Sequence, residues 1–401
     1  MTVALQLGGL HYFWRKNCIV LKSILFYFLA FSLFSCKESI SKNSKTLKNL
    51  QVDHTFRPLT GSEKKRYTDR LSKMYDSLLV RRGFNGGIII AKNGEILLED
   101  YKGYADFATK DTITATTAFH LASISKTFTG MAVLKLVEEH KLNLFDSVQY
   151  FFPNFPYHNI TVKLLLTHRS GLPNYAYFLT KDTAFRKRIA TNQDMLDFMI
   201  KNNPMRYGYP DRGFNYCNTN YALLALIIEK VTGQPFPEYM KSTVFAPLGM
   251  NNSFIFSIKD TADYKPSYLA NNRPIRLETM DCIYGDKNVY STPRDLLKWD
   301  GAMYKNSFVT QATYQEAITP YSNERPSKHN YGMGWRLMIL PDNKIVYHNG
   351  WWHGNNNSFT RFIQDSATVI IIGNRYNRGN YAGMKFAPVF GTKADTTKQL
   401  E

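Results

Sequence analysis

Ser123 and Lys126 are the residues whose types and spacing most directly indicate chemistry. On a helix, a spacing of three places both side chains on one face. A partly desolvated, neutral lysine can take the proton of a serine hydroxyl, and the unpaired N–H groups of a helix N-terminus suit an acyl oxyanion. The pair therefore predicts a serine acyl-transfer site, although an ordinary capped helix with an exposed lysine has the same spacing. Apolar residues follow at helical spacing, at Phe128, Met131, Leu134 and Val137.

A second candidate group is Tyr216-Cys217-Asn218, just before a predicted helix. On a loop or extended turn, residues two apart can point the same way, so the Tyr216 hydroxyl and the Asn218 amide can face one cleft. A tyrosine near a lysine ammonium can titrate low enough to relay protons, and an asparagine can donate to a substrate carbonyl. Taken alone, the segment is also typical of a helix-capping turn with a core tyrosine.

The third candidate group is His348-Asn349-Gly350-Trp351, at the end of a strand predicted at 344–348. A glycine there lets the strand edge approach a substrate closely. The backbone N–H of Trp351 can then supply a second oxyanion donor beside that of Ser123. By itself, His348 also fits a surface or core histidine at a strand end.

The elements that position these groups can be predicted in outline. A helix is predicted from Ser62 to about Arg82, and Asn93-Gly94 between two apolar runs predicts a hairpin. Helical, loop-rich sequence continues to about Tyr304. Strand patterns return at 334–339, 344–348, 358–364 and 367–373. We therefore predict an α+β fold with an antiparallel sheet built from both chain ends, flanked by helices, and an inserted, mainly helical lobe at about 115–320.

Residues 15–36 have the pattern of an export signal. Basic residues precede an apolar run at 24–34 that is too short to span a bilayer comfortably. The run ends at Ser35-Cys36, which resembles a bacterial lipobox and implies lipidation of Cys36; an uncleaved signal anchor is the alternative. We expect an exported lipoprotein, anchored in a membrane of a bacterial cell envelope. The predicted segments are a signal peptide at 1–36, a polar tether at 37–60, a domain at 61–388 and a C-terminal tail at 389–401.

Composition excludes some classes of function. The formal charge of +18 is scattered, without a long basic run or an aromatic-interleaved stripe, so nucleic-acid binding is not indicated. Outside the signal only Cys217 and Cys282 remain; they can pair in an oxidising compartment, but two buried thiols are the preferred interpretation. Neither a zinc spacing nor a His-Glu-x-x-His cluster is present, so we expect neither a metal nor another cofactor.

In this order, Ser-x-x-Lys, Tyr-x-Asn and His-x-Gly resemble the serine β-lactamase and penicillin-binding-protein superfamily. The resemblance is closest to the class C β-lactamase-like branch, which also holds D-Ala-D-Ala carboxypeptidases, D-aminopeptidases and esterases. It covers about residues 62–376, with supporting segments at 165–173, 218–224, 290–299 and 331–335.

The resemblance implies a role for each group. Ser123 is the nucleophile that becomes acylated, and Lys126 and Tyr216 share the proton transfers, with the base for acylation left open between them. Asn218 orients the acyl side chain, and His348 and Gly350 line the opposite wall. The neighbouring Ser125 is a poorer nucleophile, because no lysine follows it three residues later.

The chain departs from the class C pattern at the third group. Lys-Thr-Gly is replaced by His348-Asn349-Gly350, and a histidine is mostly neutral at pH 7. Trp351 and Trp352 stand where small residues are usual, and Cys217 replaces a commoner serine. The predicted protein is a lipid-anchored, metal-independent serine hydrolase of an envelope amide or ester, such as a peptidoglycan-derived peptide, with poor or no β-lactamase activity. The alternatives are an inactive peptidoglycan- or peptide-binding member of the fold and a purely structural lipoprotein.

Overall fold

A computed structural model of the chain describes residues 56–183, 185, 188–258 and 264–392. The predicted signal peptide, the predicted lipidation at Cys36 and most of the predicted tether lie outside these residues. Within them, no helix is both long enough and apolar enough to cross a membrane.

The strands of the described part are numbered in chain order. They are β1 (Gly86–Lys92), β2 (Glu95–Lys102), β3 (Tyr104–Asp106), β4 (Asp111–Thr112), β5 (Phe119–His120), β6 (Phe254–Ile255), β7 (Ser267–Tyr268), β8 (Pro274–Ile275), β9 (Val289–Ser291), β10 (His329–Tyr331), β11 (Arg336–Leu340), β12 (Asn343–Trp352), β13 (Asn355–Phe362) and β14 (Ala367–Ile372).

The principal sheet joins the two ends of the domain. Its order is β10-β11-β12-β13-β14-β1-β2, and neighbouring strands are antiparallel. The central pairing of β1 with β14 aligns Gly87 with Ile372, so early and late segments share one sheet. The predicted α+β class is confirmed, and so is the hairpin, whose turn lies at Asn93-Gly94.

Several predicted strand boundaries differ from the structure, and one of them bears on the site. The strand predicted at 344–348 continues to Trp352, so His348 lies inside β12 and not at its end, and Gly350, expected beyond that end, lies inside it as well. Its pairing with β13 runs without interruption to Trp352, opposite Asn355. This continuous ladder overrides the turn tendency of Asn349-Gly350.

The helices are also numbered in chain order. They are α1 (Gly61–Leu78), α2 (Ser125–Glu138), α3 (Val148–Phe151), α4 (Val162–Leu166), α5 (Tyr175–Leu179), α6 (Asn192–Asn202), α7 (Asn218–Thr232), α8 (Phe236–Met240), α9 (Pro293–Lys305), α10 (Gln311–Ala317) and α11 (Ala387–Phe390). Short 3₁₀ segments lie at Val80–Arg82, Ala122–Ile124 and Arg378–Phe386, and a π turn lies at Lys241–Phe245.

Helix α1 covers one face of the principal sheet, where Leu71 and Tyr75 pack with Ile88 and Ile90 of β1. It begins at Gly61, one residue before the predicted start at Ser62, and its N-cap is Thr60, which forms a capping box with Glu63. At the other end of the domain, Phe390 of α11 packs on Phe362 of the sheet with ring centroids 5.6 Å apart. Packed structure therefore continues past the predicted boundary at 388.

Helix α2 is the centre of the helical lobe. Every residue from Ser125 to Leu134 is buried, so the helix is enclosed on all sides and not only on the apolar face that the sequence indicated. It packs against α7 and α10, and Phe128 stacks on Trp299 of α9 at 4.5 Å. This packing fixes the helix that begins beside Ser123.

Candidate active site

Ser123 lies on the 3₁₀ turn Ala122–Ile124 that joins β5 to α2. The turn is tied to β9 by the bond from the Leu121 N–H to the Val289 carbonyl, 2.8 Å. Ser123 is half-buried, whereas Ala122 and Ile124 on either side are buried. Its side chain is therefore the group of this turn that reaches the surface.

Lys126 is fully buried and makes three hydrogen bonds from its amine. Nζ lies 3.1 Å from Ser123 Oγ, 2.9 Å from Asn218 Oδ1 and 2.9 Å from the backbone carbonyl of Asp286. An ammonium has three protons, so these partners use all of them. The predicted meeting of Ser123 and Lys126 on one face is present.

Tyr216 completes the contacts of the serine hydroxyl. Its phenol donates to Ser123 Oγ at 2.9 Å, and its ring centroid lies 4.9 Å from Lys126 Nζ. Asn218, two residues later, begins α7 and accepts from Lys126 through Oδ1. Because its oxygen is held by the lysine, the Nδ2 group of Asn218 is the one left to donate to a ligand.

Gly350 brings the edge of β12 against the turn of the serine. A Cβ on Gly350 would lie 2.2 Å from the Leu121 carbonyl oxygen and 3.2 Å from the Ala122 Cβ. Only glycine allows this approach. The next residue, Trp351, is 65% exposed and stands at the surface beside this contact. Its expected role as an oxyanion donor stays a prediction.

His348 is buried, at 1% exposure. Its Nδ1 lies 2.7 Å from the Asn349 carbonyl, which can only accept, so the proton sits on Nδ1 and Nε2 accepts from the Tyr331 hydroxyl at 3.3 Å. Burial, then the charges of Arg336 and Lys126, lower the pKa of His348 well below its usual value. The imidazole is therefore neutral at pH 7, as its residue type suggested.

Arg336 is the cation of this site that sequence reasoning missed. Its guanidinium carbon lies 5.1 Å from the Tyr216 ring centroid, and it faces Tyr347 across the β11–β12 pair. In the part of the chain that the structure describes, it forms no ion pair with a carboxylate. Its position depends on the register of β11 against β12, so no local motif marked it.

The two cysteines of the domain are thiols and not a disulfide. Cys217 is buried between the reactive residues Tyr216 and Asn218, and its Sγ faces the Leu172 carbonyl at 3.5 Å. Burial raises the pKa of Cys217 to about 11, so it stays protonated. Cys282 is half-buried.

Comparisons with known proteins give one consistent family. The family model described as beta-lactamase matches residues 64–380, which include every residue of the site above. Penicillin-binding protein 4* of Bacillus subtilis is 32% identical over 330 residues, which cover 78% of this chain and 72% of that protein.

Solved structures give the same fold. A penicillin-binding protein from Bacillus halodurans superposes with a TM-score of 0.69 at 24% identity, covering 77% of this chain and 97% of that one. D-amino acid amidase from Ochrobactrum anthropi, complexed with D-phenylalanine, superposes with a TM-score of 0.62 at 26% identity, covering 76% and 92%.

Proposed function

The chain belongs to the β-lactamase family of serine hydrolases, and we propose that Ser123 is its nucleophile in an acyl-enzyme reaction on an amide or ester of the cell envelope. The family and the serine-hydrolase class confirm the resemblance drawn from the three motifs. The observation that carries the proposal is the convergence on Ser123 Oγ of the Lys126 amine at 3.1 Å and the Tyr216 phenol at 2.9 Å.

When Lys126 gives up one of its three protons, its contacts suit an amine that acts as a base. A neutral amine has two protons and one lone pair. The protons satisfy the Asn218 and Asp286 oxygens, and the lone pair then faces the Ser123 hydroxyl. When Ser123 attacks a carbonyl carbon, its proton passes to Lys126 or, alternatively, to an ionised Tyr216.

The same groups return that proton when the acyl-enzyme forms. The tetrahedral intermediate collapses as the amine or alcohol leaves, and the leaving atom takes a proton from Lys126 or Tyr216. Water then attacks the ester carbonyl on Ser123 and gives up a proton to the same base; as the bond to Ser123 Oγ breaks, the base returns that proton to Oγ and the acid is released. We propose the backbone N–H groups of Ser123 and Trp351 as the oxyanion donors of both steps.

The charges around the cleft favour substrates that carry a carboxylate. We propose that Arg336 attracts the substrate carboxylate, the role that the motif lysine has in class C β-lactamases. His348 is neutral and cannot supply this charge, and Arg336 lacks an ion-pair partner among the described residues. A peptide with a free C-terminus matches this charge, whereas an amino-acid amide or a simple ester does not need it. We expect poor β-lactamase activity, since the cation lies on a different strand from the motif.

Labelling with a fluorescent penicillin or a fluorophosphonate tests the nucleophile. Ser123→Ala should abolish labelling. The matched control is Ser125→Ala, because Ser125 is buried and its Oγ accepts from the Val289 N–H at 3.1 Å; this variant should still be labelled. Labelling that persists in Ser123→Ala would reject the proposal.

Turnover of a substrate panel tests the rest of the proposal. The panel contains a D-Ala-D-Ala peptide, a D-amino-acid amide, a short ester and a chromogenic cephalosporin. Arg336→Gln should raise KM for the peptide more than tenfold and leave the amide and ester within threefold. Labelling without turnover of any substrate would support the inactive binding protein instead.

The cellular location is proposed from the sequence alone. We propose export and lipidation at Cys36, on the strength of the basic residues, the short apolar run and the Ser35-Cys36 ending. Metabolic labelling with an alkyne fatty acid should mark the protein in cells, and Cys36→Ser should lose the mark. Equal labelling of both would refute lipidation at this residue.

A further inference from the structure

His120 lies two residues before the turn that carries Ser123 and accepts a hydrogen bond from it. Its Nδ1 is 3.0 Å from the Ala122 N–H, and its Nε2 is 2.8 Å from Asn288 Oδ1. A backbone N–H can only donate, so Nδ1 must carry a lone pair. Asn288 donates through Nδ2 to the Asp281 carbonyl, which leaves Oδ1 as an acceptor for an Nε2 proton. His120 is therefore a neutral imidazole in one defined tautomer.

The residue that His120 holds has an unusual backbone. Ala122 is a buried non-glycine residue at φ +51°, in the left-handed region that L-residues rarely adopt. Such a conformation costs of the order of 1 kcal/mol and persists only where its surroundings enforce it. The bond to His120 stabilises this conformation, and the bend turns the next side chain, Ser123, out of the buried strand β5.

His168 holds the other reactive side chain in the same way. Its carbonyl accepts from the Asn215 N–H at 2.8 Å, and its Nδ1 accepts from the Cys217 N–H at 3.2 Å. These two contacts flank Tyr216 on both sides. His168 is itself at φ +55°, and its ring centroid lies 4.4 Å from that of Tyr216.

The tautomer of His168 is also defined. Its Nδ1 lone pair accepts from the Cys217 N–H and also from Asn220 Nδ2 at 3.1 Å, so the proton of the neutral ring lies on Nε2. That nitrogen has no hydrogen-bond partner among the described residues, and the ring lies 4.7 Å from Tyr331 and 5.0 Å from Tyr221. A second proton, on Nδ1, would remove the acceptor of the Cys217 N–H.

We propose that His120 and His168 are paired positioning residues, which hold the backbone on each side of the Ser123–Tyr216 hydrogen bond through the lone pairs of their Nδ1 atoms. Each holds a residue adjacent in sequence to one partner of that 2.9 Å bond. Neither contacts the reacting oxygen itself. The inference rests on the proposed role of Ser123 as nucleophile and adds the two residues that position Ser123 and Tyr216.

Burial keeps both rings unprotonated. It is the main reason that the pKa of His120 is lowered to about 3; the Asn288 hydrogen bond and the Asp281 charge oppose it, and the charges of Lys287 and His353 act with it. The other titratable neighbour of His120 is Tyr290, whose ring lies edge-on at 5.1 Å.

Burial likewise lowers the pKa of His168 well below its usual value, and the charges of Lys126, His348 and Arg336 act in the same direction. Tyr216, Tyr221 and Tyr331, with Cys217, are the remaining titratable groups that face it. Both imidazoles therefore keep their Nδ1 lone pairs at physiological pH.

Substitutions that keep or remove the acceptor test the proposal. In His120→Asn and His168→Asn, an amide oxygen can take the place of Nδ1, whereas His120→Leu and His168→Leu have similar branching without an acceptor. The readouts are the binding constant and the acylation rate constant for a fluorescent penicillin, with Tm alongside. Each leucine variant should acylate at least 30-fold more slowly, with binding within threefold, and each asparagine variant should recover to within fivefold of wild type.

A Tyr216→Phe background separates positioning from general damage. If His168 acts through the Tyr216 hydroxyl, adding His168→Leu to Tyr216→Phe should lower the acylation rate constant by less than a further threefold. Adding His120→Leu should lower it by the same factor as in the wild-type background. Equal rates in the leucine and asparagine variants, or an undiminished cost of His168→Leu, would overturn the proposal. If a leucine variant does not fold, the folded asparagine variant decides the test by itself. An acylation rate constant more than tenfold below that of wild type would then overturn the proposal. Labelling that survives Ser123→Ala would instead reject the proposed function.

Discussion

Replacing Gly350 with alanine should displace the nucleophile without touching it. The new Cβ would lie 2.2 Å from the Leu121 carbonyl oxygen, against about 3.4 Å for ordinary contact, so strand β12 or the serine turn must move by about 1.2 Å. Both sides of this contact are backbone, and neither can rotate away. A misplacement of about 1 Å at a reacting centre can cost on the order of 100-fold in rate. We expect Gly350→Ala to lower the acylation rate constant with fluorescent penicillin by about that factor.

Gly354→Ala is the matched control. A Cβ there would lie 2.2 Å from the Tyr268 carbonyl oxygen and 2.5 Å from the Tyr268 nitrogen, so the clash is at least as severe and lies in the turn between β12 and β13. It does not involve residues 121–123. Gly354→Ala should lose at least as much Tm as Gly350→Ala, yet it should acylate within fivefold of wild type. Equal losses of rate, or a Gly350→Ala protein within threefold of wild type, would refute the reasoning.

Three other outcomes follow from single side chains. Tyr216→Phe should slow acylation about 100-fold or more, measured by stopped-flow labelling, because it removes one of the two groups that move protons at Ser123. Because burial lowers the pKa of His168, its imidazole in the unfolded chain takes up a proton below about pH 6.5, and in the folded chain it does not. The free energy of unfolding therefore falls as the pH falls. His168→Asn should reduce the slope of that free energy against pH by about 1.3 kcal/mol per pH unit, measured by urea titrations between pH 5 and 6. Arg361→Met should cost about 3–5 kcal/mol in the same titrations at pH 7, because Arg361 is fully buried and its loss leaves the Asp300 carboxylate unpaired; a cost below 1 kcal/mol would contradict this.

Local patterns were enough for much of the fold. The Asn93-Gly94 hairpin follows from turn chemistry that acts over a few residues. The meeting of Ser123 with Lys126 follows from the geometry of one helical turn. The closure of one sheet by both chain ends was predicted from where the strand patterns lie, since strands without neighbours must pair with one another.

Other features depend on tertiary contacts that leave no local trace. Asn349-Gly350 is a typical turn sequence, yet Gly350 lies inside strand β12. A glycine is needed there because the Leu121 carbonyl occupies the space where a side chain would stand. The left-handed backbone of Ala122 is equally hidden, since alanine has no special tendency to adopt it. Arg336 reaches the site only through the register of two strands.

The exchange of a motif lysine for His348 is best understood together with Arg336. Lys126 and Arg336 already place two cations about 5 Å from the Tyr216 ring. A lysine at position 348, which is 1% exposed, would bring a third cation into a buried site, with a desolvation cost and repulsion from both. A neutral imidazole avoids these costs and still hydrogen-bonds Tyr331. The charge for a substrate carboxylate would then come from β11 instead of β12. Such a shift would select among substrates while the chemistry at the serine stays the same.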